Sequence, residues 1–179
     1  MGATTTKTSP TSSPIKLTIS SFSTSPTISE QSPPYTSSKL SGNEYHKLSN
    51  LALDNLTEYL EGIIEEVDVE RLEQLAKESN QVAKRGGPAS EWDCEYSSGV
   101  LNLRLGSHGT YVINKQPPNQ QIWLSSPKSG PKRFDYDREH KVWFSNKEGE
   151  VVSLKELLDS ELSVAFDSPV DVPLSGEEC

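Results

Sequence analysis

Apolar and polar positions recur along this chain with two different periods, and the change of period divides it into helical and strand-forming parts. From residue 43 to about 66, Tyr45, Leu48, Ala52, Leu56, Tyr59 and Ile63 return every three or four positions. At roughly 100° per residue they fall on one side of a helix. Ser41 and Glu44 stand at capping-box spacing and predict a helix start near Asn43. From Val67 to Ala83, Leu72, Leu75, Ala76 and Val82 continue a helical pattern until Gly86-Gly87-Pro88 stops it. The period then shortens to two, giving predicted strands at Trp92 to Ser97, Val100 to Leu105, Gly109 to Lys115, Gln120 to Ser125, Lys132 to Tyr136 and Val142 to Ser145. Ser153 and Glu156 repeat the capping-box spacing before a last helix, with Leu154, Leu157, Leu158, Leu162 and Ala165 as its buried stripe. The fold class expected is α+β: a two-layer sandwich with two helices packed on one face of an antiparallel sheet of about six strands. The other face is left to solvent.

Strand parity then singles out one residue. Successive side chains of a strand point to opposite faces, so Ile122 and Leu124 share one face while Gln121, Trp123 and Ser125 share the other. In the preceding strand Tyr111 and Ile113 oppose Thr110, Val112 and Asn114, and Gln116-Pro117-Pro118-Asn119 forms a tight connection between the two. One face is core, and the other is polar with a single large aromatic. Asn102, Arg104, Asn114, Gln121 and Ser125 are expected around Trp123, with positive charge from Lys132 and Arg133 beside it and Lys128 close by. An aromatic anchor ringed by polar groups is how binding hot spots are built.

Residues 1–42 are rich in Ser, Thr and Pro and poor in large apolar groups. They are expected to be disordered and fit a mitochondrial targeting segment. The folded domain is expected over residues 43–166, with 67–90 as a helical insertion and 167–179 as a tail. The tail's Val170, Val172 and Leu174 are expected to lie across the helices. No apolar run approaches the roughly 18 residues of a membrane span. The net charge of −9 is unevenly spread: residues 1–40 hold three lysines and one glutamate, which leaves 14 basic and 25 acidic residues, or −11, for 41–179. So acidic a body disfavours nucleic acid and favours cations or basic partners. Cys94 and Cys179 have no metal-site spacing, and Cys94 is expected in the core. His46, His108 and His140 are expected at the surface.

The acids of the first helix are not mixed with bases. Asp54, Glu58, Glu61 and Glu65 stand at i, i+4, i+7 and i+11, within an arc of about 60° opposite the apolar side. Each adjacent pair costs a few tenths of a kcal/mol. If the first strand is a neighbour, Glu91, Asp93 and Glu95 extend the same ridge. Such oxygen-rich ridges suit hard cations, and an ordinary solvated acidic face is the alternative. No Glu-x-x-His pair is present for a di-iron centre, nor any hydrolase or P-loop motif.

Residues 109–133, GTYVINKQPPNQQIWLSSPKSGPKR, followed by Phe134-Asp135, closely resemble the signature region of the frataxin family. These are small iron-associated accessory proteins of iron–sulfur cluster assembly in the mitochondrial matrix. The similarity extends, less densely, from about Tyr45 to Phe166. The resemblance implies an accessory protein that activates the cysteine desulfurase and the iron–sulfur scaffold protein, contacted through Asn114, Lys115, Gln116, Trp123 and Arg133, and that delivers ferrous iron; Lys132 joins this docking set for the positive charge it places beside Trp123. It implies weakly bound iron, Fe2+ or Fe3+, on Asp54, Glu58, Glu61, Glu65, Glu91 and Asp93. It also names ferrochelatase as a further partner, and a monomer that forms oligomers with iron. The alternative it offers is a ferroxidase or iron store oxidising Fe(II) to Fe(III) on the acidic surface. Asn50, Leu51 and Gly62 stand where many members carry further acids, and the connection at 67–90 is longer than usual.

Overall fold

A computed structural model describes residues 1–4, 34–147 and 149–174. The chain divides into two units, Met1–Gln31 and Ser32–Cys179. Of the first, only residues 1–4 are described, exposed and without regular structure, so most of the expected targeting segment and Cys179 lie outside the described residues. The described helices and strands all belong to the second unit.

Helix α1 spans Gly42–Glu66 and opens on the capping box expected from sequence: the Ser41 side chain accepts from the Glu44 N–H, and the Glu44 carboxylate accepts from the Ser41 N–H. Its buried residues are Tyr45, Ser49, Ala52, Leu53, Leu56 and Leu60. The apolar stripe is therefore centred closer to Leu53 and Leu60 than the sequence reading placed it, and Leu48, Tyr59 and Ile63 flank it, half-buried against the same core.

The helical pattern does not run on unbroken. Val67 is extended, and the Asp68 side chain caps a separate helix α2, Val69–Glu78, by accepting from the Arg71 N–H at 3.1 Å. Strands β1 (Trp92–Ser97), β2 (Val100–Leu105), β3 (Thr110–Gln116), β4 (Gln121–Ser126), β5 (Gly130–Asp137), β6 (Val142–Lys147) and β7 (Glu150–Ser153) precede α3 (Leu154–Ala165). They form one antiparallel sheet in chain order. The class is the α+β sandwich expected, with seven strands and three helices among the described residues rather than about six and two. The extra strand is four residues long, too short for its alternation to be read.

Leu53, Leu56 and Leu60 of α1, Leu154, Leu158 and Leu162 of α3, and Leu101, Leu103, Ile113, Ile122 and Phe134 of the sheet share one core. Each fully buried side chain contributes about 1.5–3 kcal/mol. Val170, Val172 and Leu174 of the tail join that core. The tail is held by the Val172 N–H on Asp159 Oδ1 at 2.7 Å and the Asp171 N–H on the Tyr59 hydroxyl at 3.2 Å.

Helix α2 closes one end of the sheet. Glu73, only 3% exposed, accepts from Trp92 Nε1 at 2.8 Å and the Ser107 N–H at 2.9 Å. Burial raises its pKa, but these hydrogen bonds outweigh burial and hold the carboxyl below its usual range. Gly106 allows the approach, because its φ is +48° and a Cβ there would stand 2.1 Å from Glu73 Oε1. Next to it, His108 is buried at 6% exposure, which corrects the expectation of a surface histidine. Burial makes its imidazole harder to protonate. His46 and His140 are exposed, as expected.

Candidate docking face and acidic ridge

The register of four strands builds the face that the helices leave open. Val100, Asn114, Trp123 and Arg133 stand opposite one another across β2, β3, β4 and β5, and Asn102, Val112, Ser125 and Pro131 form the next row. Ile122 and Leu124, on either side of Trp123, are buried beneath the helices while Trp123 is half-buried on the far face. That is the placement strand parity predicts.

The indole is fixed in place. Its Nε1 donates to Gln121 Oε1 at 2.9 Å, and Gln121 Nε2 donates to Asp135 Oδ1 at 3.0 Å. The Arg133 guanidinium lies 4.5 Å from the ring centroid, a cation–π contact worth about 0.5–1 kcal/mol at an exposed site. An open depression of about 590 Å³ adjoins the ring, with Asn114, Arg133, Lys132, Asn146 and Lys147 among its lining residues. Asn146 and Lys147 lie beyond Ser145, where the sequence pattern ends the last strand it predicts, while β6 continues to Lys147. Two more residues of alternation were the available signal.

The six residues of the expected docking set do not all share this face. Asn114 and Gln116 lie on Trp123's side by register. Lys115 pairs with Ile122, on the helix side, and its Nζ donates to Asn50 Oδ1 of α1. Lys132 pairs with Leu124, on the helix-side row, at the end of the sheet where it still borders the depression. Arg104, expected near Trp123, binds Asp93 at 2.8 Å and Glu95 at 3.4 Å instead.

The second feature is α1's outer side. Asp54, Glu58, Glu61 and Glu65 are all exposed. The helix packs beside β1, close enough that the charge of Asp54 acts on Tyr96 and that of Glu61 on Cys94. Burial first, then the charges of Glu61 and Asp93, push the Cys94 thiol up to about 12, so this core cysteine stays protonated and inert. Glu91 is exposed just before β1. Asp93 and Glu95 are on the strand's other side, turned to Arg104, so they do not continue the α1 ridge. Among the described residues, no three His, Cys, Asp or Glu side chains lie close enough to share a metal ion. The ridge offers separated carboxylates rather than a closed ligand set.

An antiparallel sheet with helices on one face and an ordered aromatic–cation pair on the other defines a class of small two-layer α+β sandwich proteins. Within that class the chain belongs to the frataxin family, since residues 67–168 match the family described as frataxin-like domain. It is 40% identical over 129 residues to the mitochondrial frataxin homolog of Schizosaccharomyces pombe, covering 72% of this chain and 67% of that one. To the mitochondrial frataxin of Arabidopsis thaliana it is 37% identical over 136 residues, covering 76% of this chain and 61% of that protein, so under two-thirds of the plant protein is represented. A trimeric frataxin from the yeast Saccharomyces cerevisiae, solved as a ferrous complex, aligns with a TM-score of 0.41 at 32% identity over 75% of this chain and 93% of that one. The named relatives are mitochondrial, and so is this chain. No helix among the described residues is long and apolar enough to cross a membrane.

Proposed function

We propose that this chain is an accessory protein of iron–sulfur cluster assembly, which docks through the Trp123 face on the cysteine desulfurase and scaffold protein and accelerates sulfur transfer by reshaping them. The observation that carries this reading is the indole itself: half-buried, hydrogen-bonded and stacked under Arg133 on a face no helix covers. A rigid aromatic loses little conformational entropy on binding, so less of its contact energy is offset by ordering. Asn114, Gln116 and Arg133 supply hydrogen bonds around it, Lys132 adds charge at the rim, and Lys115 acts indirectly by tying β3 to α1. No group of the chain attacks, protonates or oxidises a substrate in this mechanism. The test is Trp123→Ala: a normal melting curve with desulfurase stimulation lowered at least tenfold is expected, as for a hot-spot residue. Full stimulation by the variant would refute the docking role.

Ferrous iron as cargo is a second reading, favoured by the exposed Asp54, Glu58, Glu61 and Glu65, while the described ion pairs lie elsewhere. Separated carboxylates with water filling the remaining positions give a weak, exchangeable site. Glu91 sits outside the row, and Asp93 is engaged by Arg104, so α1 carries the iron surface. Weak holding suits delivery to the scaffold or to ferrochelatase better than storage. It also makes any oxidation of Fe(II) slow, since no closed ligand set stabilises the product. Substituting the four acids by their amides separates the two activities: iron uptake should fall while desulfurase stimulation in iron-free buffer persists. Unchanged iron uptake would remove the ridge from the account.

A further inference from the structure

The residues just before α1 have the composition of an unstructured leader, yet from Tyr35 onward they are built into the domain. β4 begins at Gln121 and its ladder with β5 ends at the Ile122–Phe134 pair, which leaves the edge of β5 open beyond that point. The chain N-terminal to α1 fills this notch. The Ser38 N–H donates to Tyr136 O at 2.8 Å, the Arg138 N–H donates to Ser38 Oγ at 3.0 Å, and the Thr36 N–H donates to Asp137 Oδ2 at 2.8 Å. Leu40 enters the main core at 5% exposure, and its carbonyl accepts from Gln120 Nε2 at 2.9 Å.

Tyr35 reaches further. Phe144 pairs with Asp135 and Ser153, on the side of the sheet opposite Trp143 and Tyr136, and it is absent from the helix-side core. Even so, it is only 4% exposed. The Tyr35 ring covers it at 5.5 Å between centroids and meets His140 edge-on at the same distance. Without this segment Phe144 would lie bare on the docking side, the slot of Leu40 would be empty, and buried Asp137 would lose a donor.

We infer that residues Tyr35–Ser41 are a retained strap, and that maturation of this mitochondrial chain, the hydrolysis of one peptide bond by water, takes place on the N-terminal side of Tyr35. A cut between the strap and α1 would uncover Phe144, empty the slot of Leu40 and leave a buried carboxylate short of one hydrogen bond, so the product would be a poorer fold. The folded domain thus begins seven residues before α1. The strap also keeps Phe144 out of the docking face. This inference rests on the strap's contacts and the compartment, not on the identity of the docking partner.

The unchanged full-length chain is imported into isolated mitochondria, recovered, and its N-terminus read by sequencing and intact mass. A mature chain starting at or before Tyr35 is expected, and a start beyond Tyr35 overturns the inference. A second comparison uses the full-length Thr36→Pro variant, which has no N–H for Asp137. Trypsin should cut it after Lys39 about tenfold faster than the unchanged chain, with melting lowered by several degrees. Equal cleavage and equal melting would show that the strap does not hold the fold. An imported chain recovered uncut would overturn the placement of a maturation cut before Tyr35.

Discussion

On the open sheet face, Trp123 is tied to Gln121, Gln121 is tied to Asp135, and Arg133 lies over the ring; on α1, four carboxylates of one charge stand in water along a helix. The first region has its geometry before any partner arrives. The second has charge without a fixed arrangement. This difference separates what each can do. A pre-ordered aromatic surface gives a particular partner its register, whereas an unordered acidic row attracts cations and basic surfaces over a distance and releases them easily. On the proposed function, opposite faces of one small domain would supply specificity and attraction separately.

That contrast can be broken from either side. The largest effect is expected from Arg133→Glu, which removes the cation over the indole and puts a like charge before any acidic partner group. Desulfurase stimulation should fall by about tenfold to a hundredfold, at a stability cost near 1 kcal/mol or below. A variant that stimulates normally would show that the ordered face is not the one recognised.

The next test contrasts a carboxylate held by the fold with those that are not. Asp137 is 2% exposed. Burial pushes its pKa up, but donors from Thr36, His140 and Glu139 outweigh burial and bring it down to about 2 from 3.8. Because the folded-state value is the lower one, this stabilisation is complete above about pH 4 and is lost as the pH falls towards 2. It amounts to about 2 kcal/mol. Denaturant melts across that window should show the loss, and Asp137→Asn should flatten it. An equal slope in the variant would contradict the assignment.

The smallest effect belongs to the ridge. Combining Asp54→Asn, Glu58→Gln, Glu61→Gln and Glu65→Gln relieves three like-charge neighbours and should stabilise the domain by roughly 0.5–1 kcal/mol at low salt. The gain should shrink at 1 M salt as screening tightens. Destabilisation on neutralising them would mean that these acids are anchored after all.

Much of this contrast is visible in the sequence, for reasons that differ by element. Both capping boxes, at Ser41–Glu44 and Ser153–Glu156, are local hydrogen-bond patterns and appear where the spacing puts them. The alternation of β2, β3 and β4 is equally local, and it places Trp123 on the open face. Three features were less accessible. β7 has two adjacent valines in four residues, so it offers no alternation to read. Asp68 caps α2 inside what looks like one helical run, because apolar spacing alone does not register a backbone break. His108 is buried by α2 and the turn at Gly106, a contact between segments far apart in the chain.

Lys115 and Lys132 teach the opposite lesson. Their parity with Ile113 and Phe134 puts them on the helix side, against the family match that sets Lys115 beside Trp123 and the charge pattern that sets Lys132 there. The strap was hidden because Ser, Thr and Pro dominate its surroundings, while Tyr35 and Leu40 acquire meaning only from Phe144 and the core.

The indole N–H signals offer the most direct measurement of the central claim. Trp92 and Trp143 are buried at 8% and 4% exposure, while Trp123 alone of the three lies half-exposed on the open face. In a ¹⁵N-labelled sample titrated with the desulfurase–scaffold complex, the Trp123 resonance should shift or broaden first, with those of Trp92 and Trp143 lagging behind. A Trp123 signal that stays in place while the complex binds and sulfur transfer accelerates would contradict docking through this face.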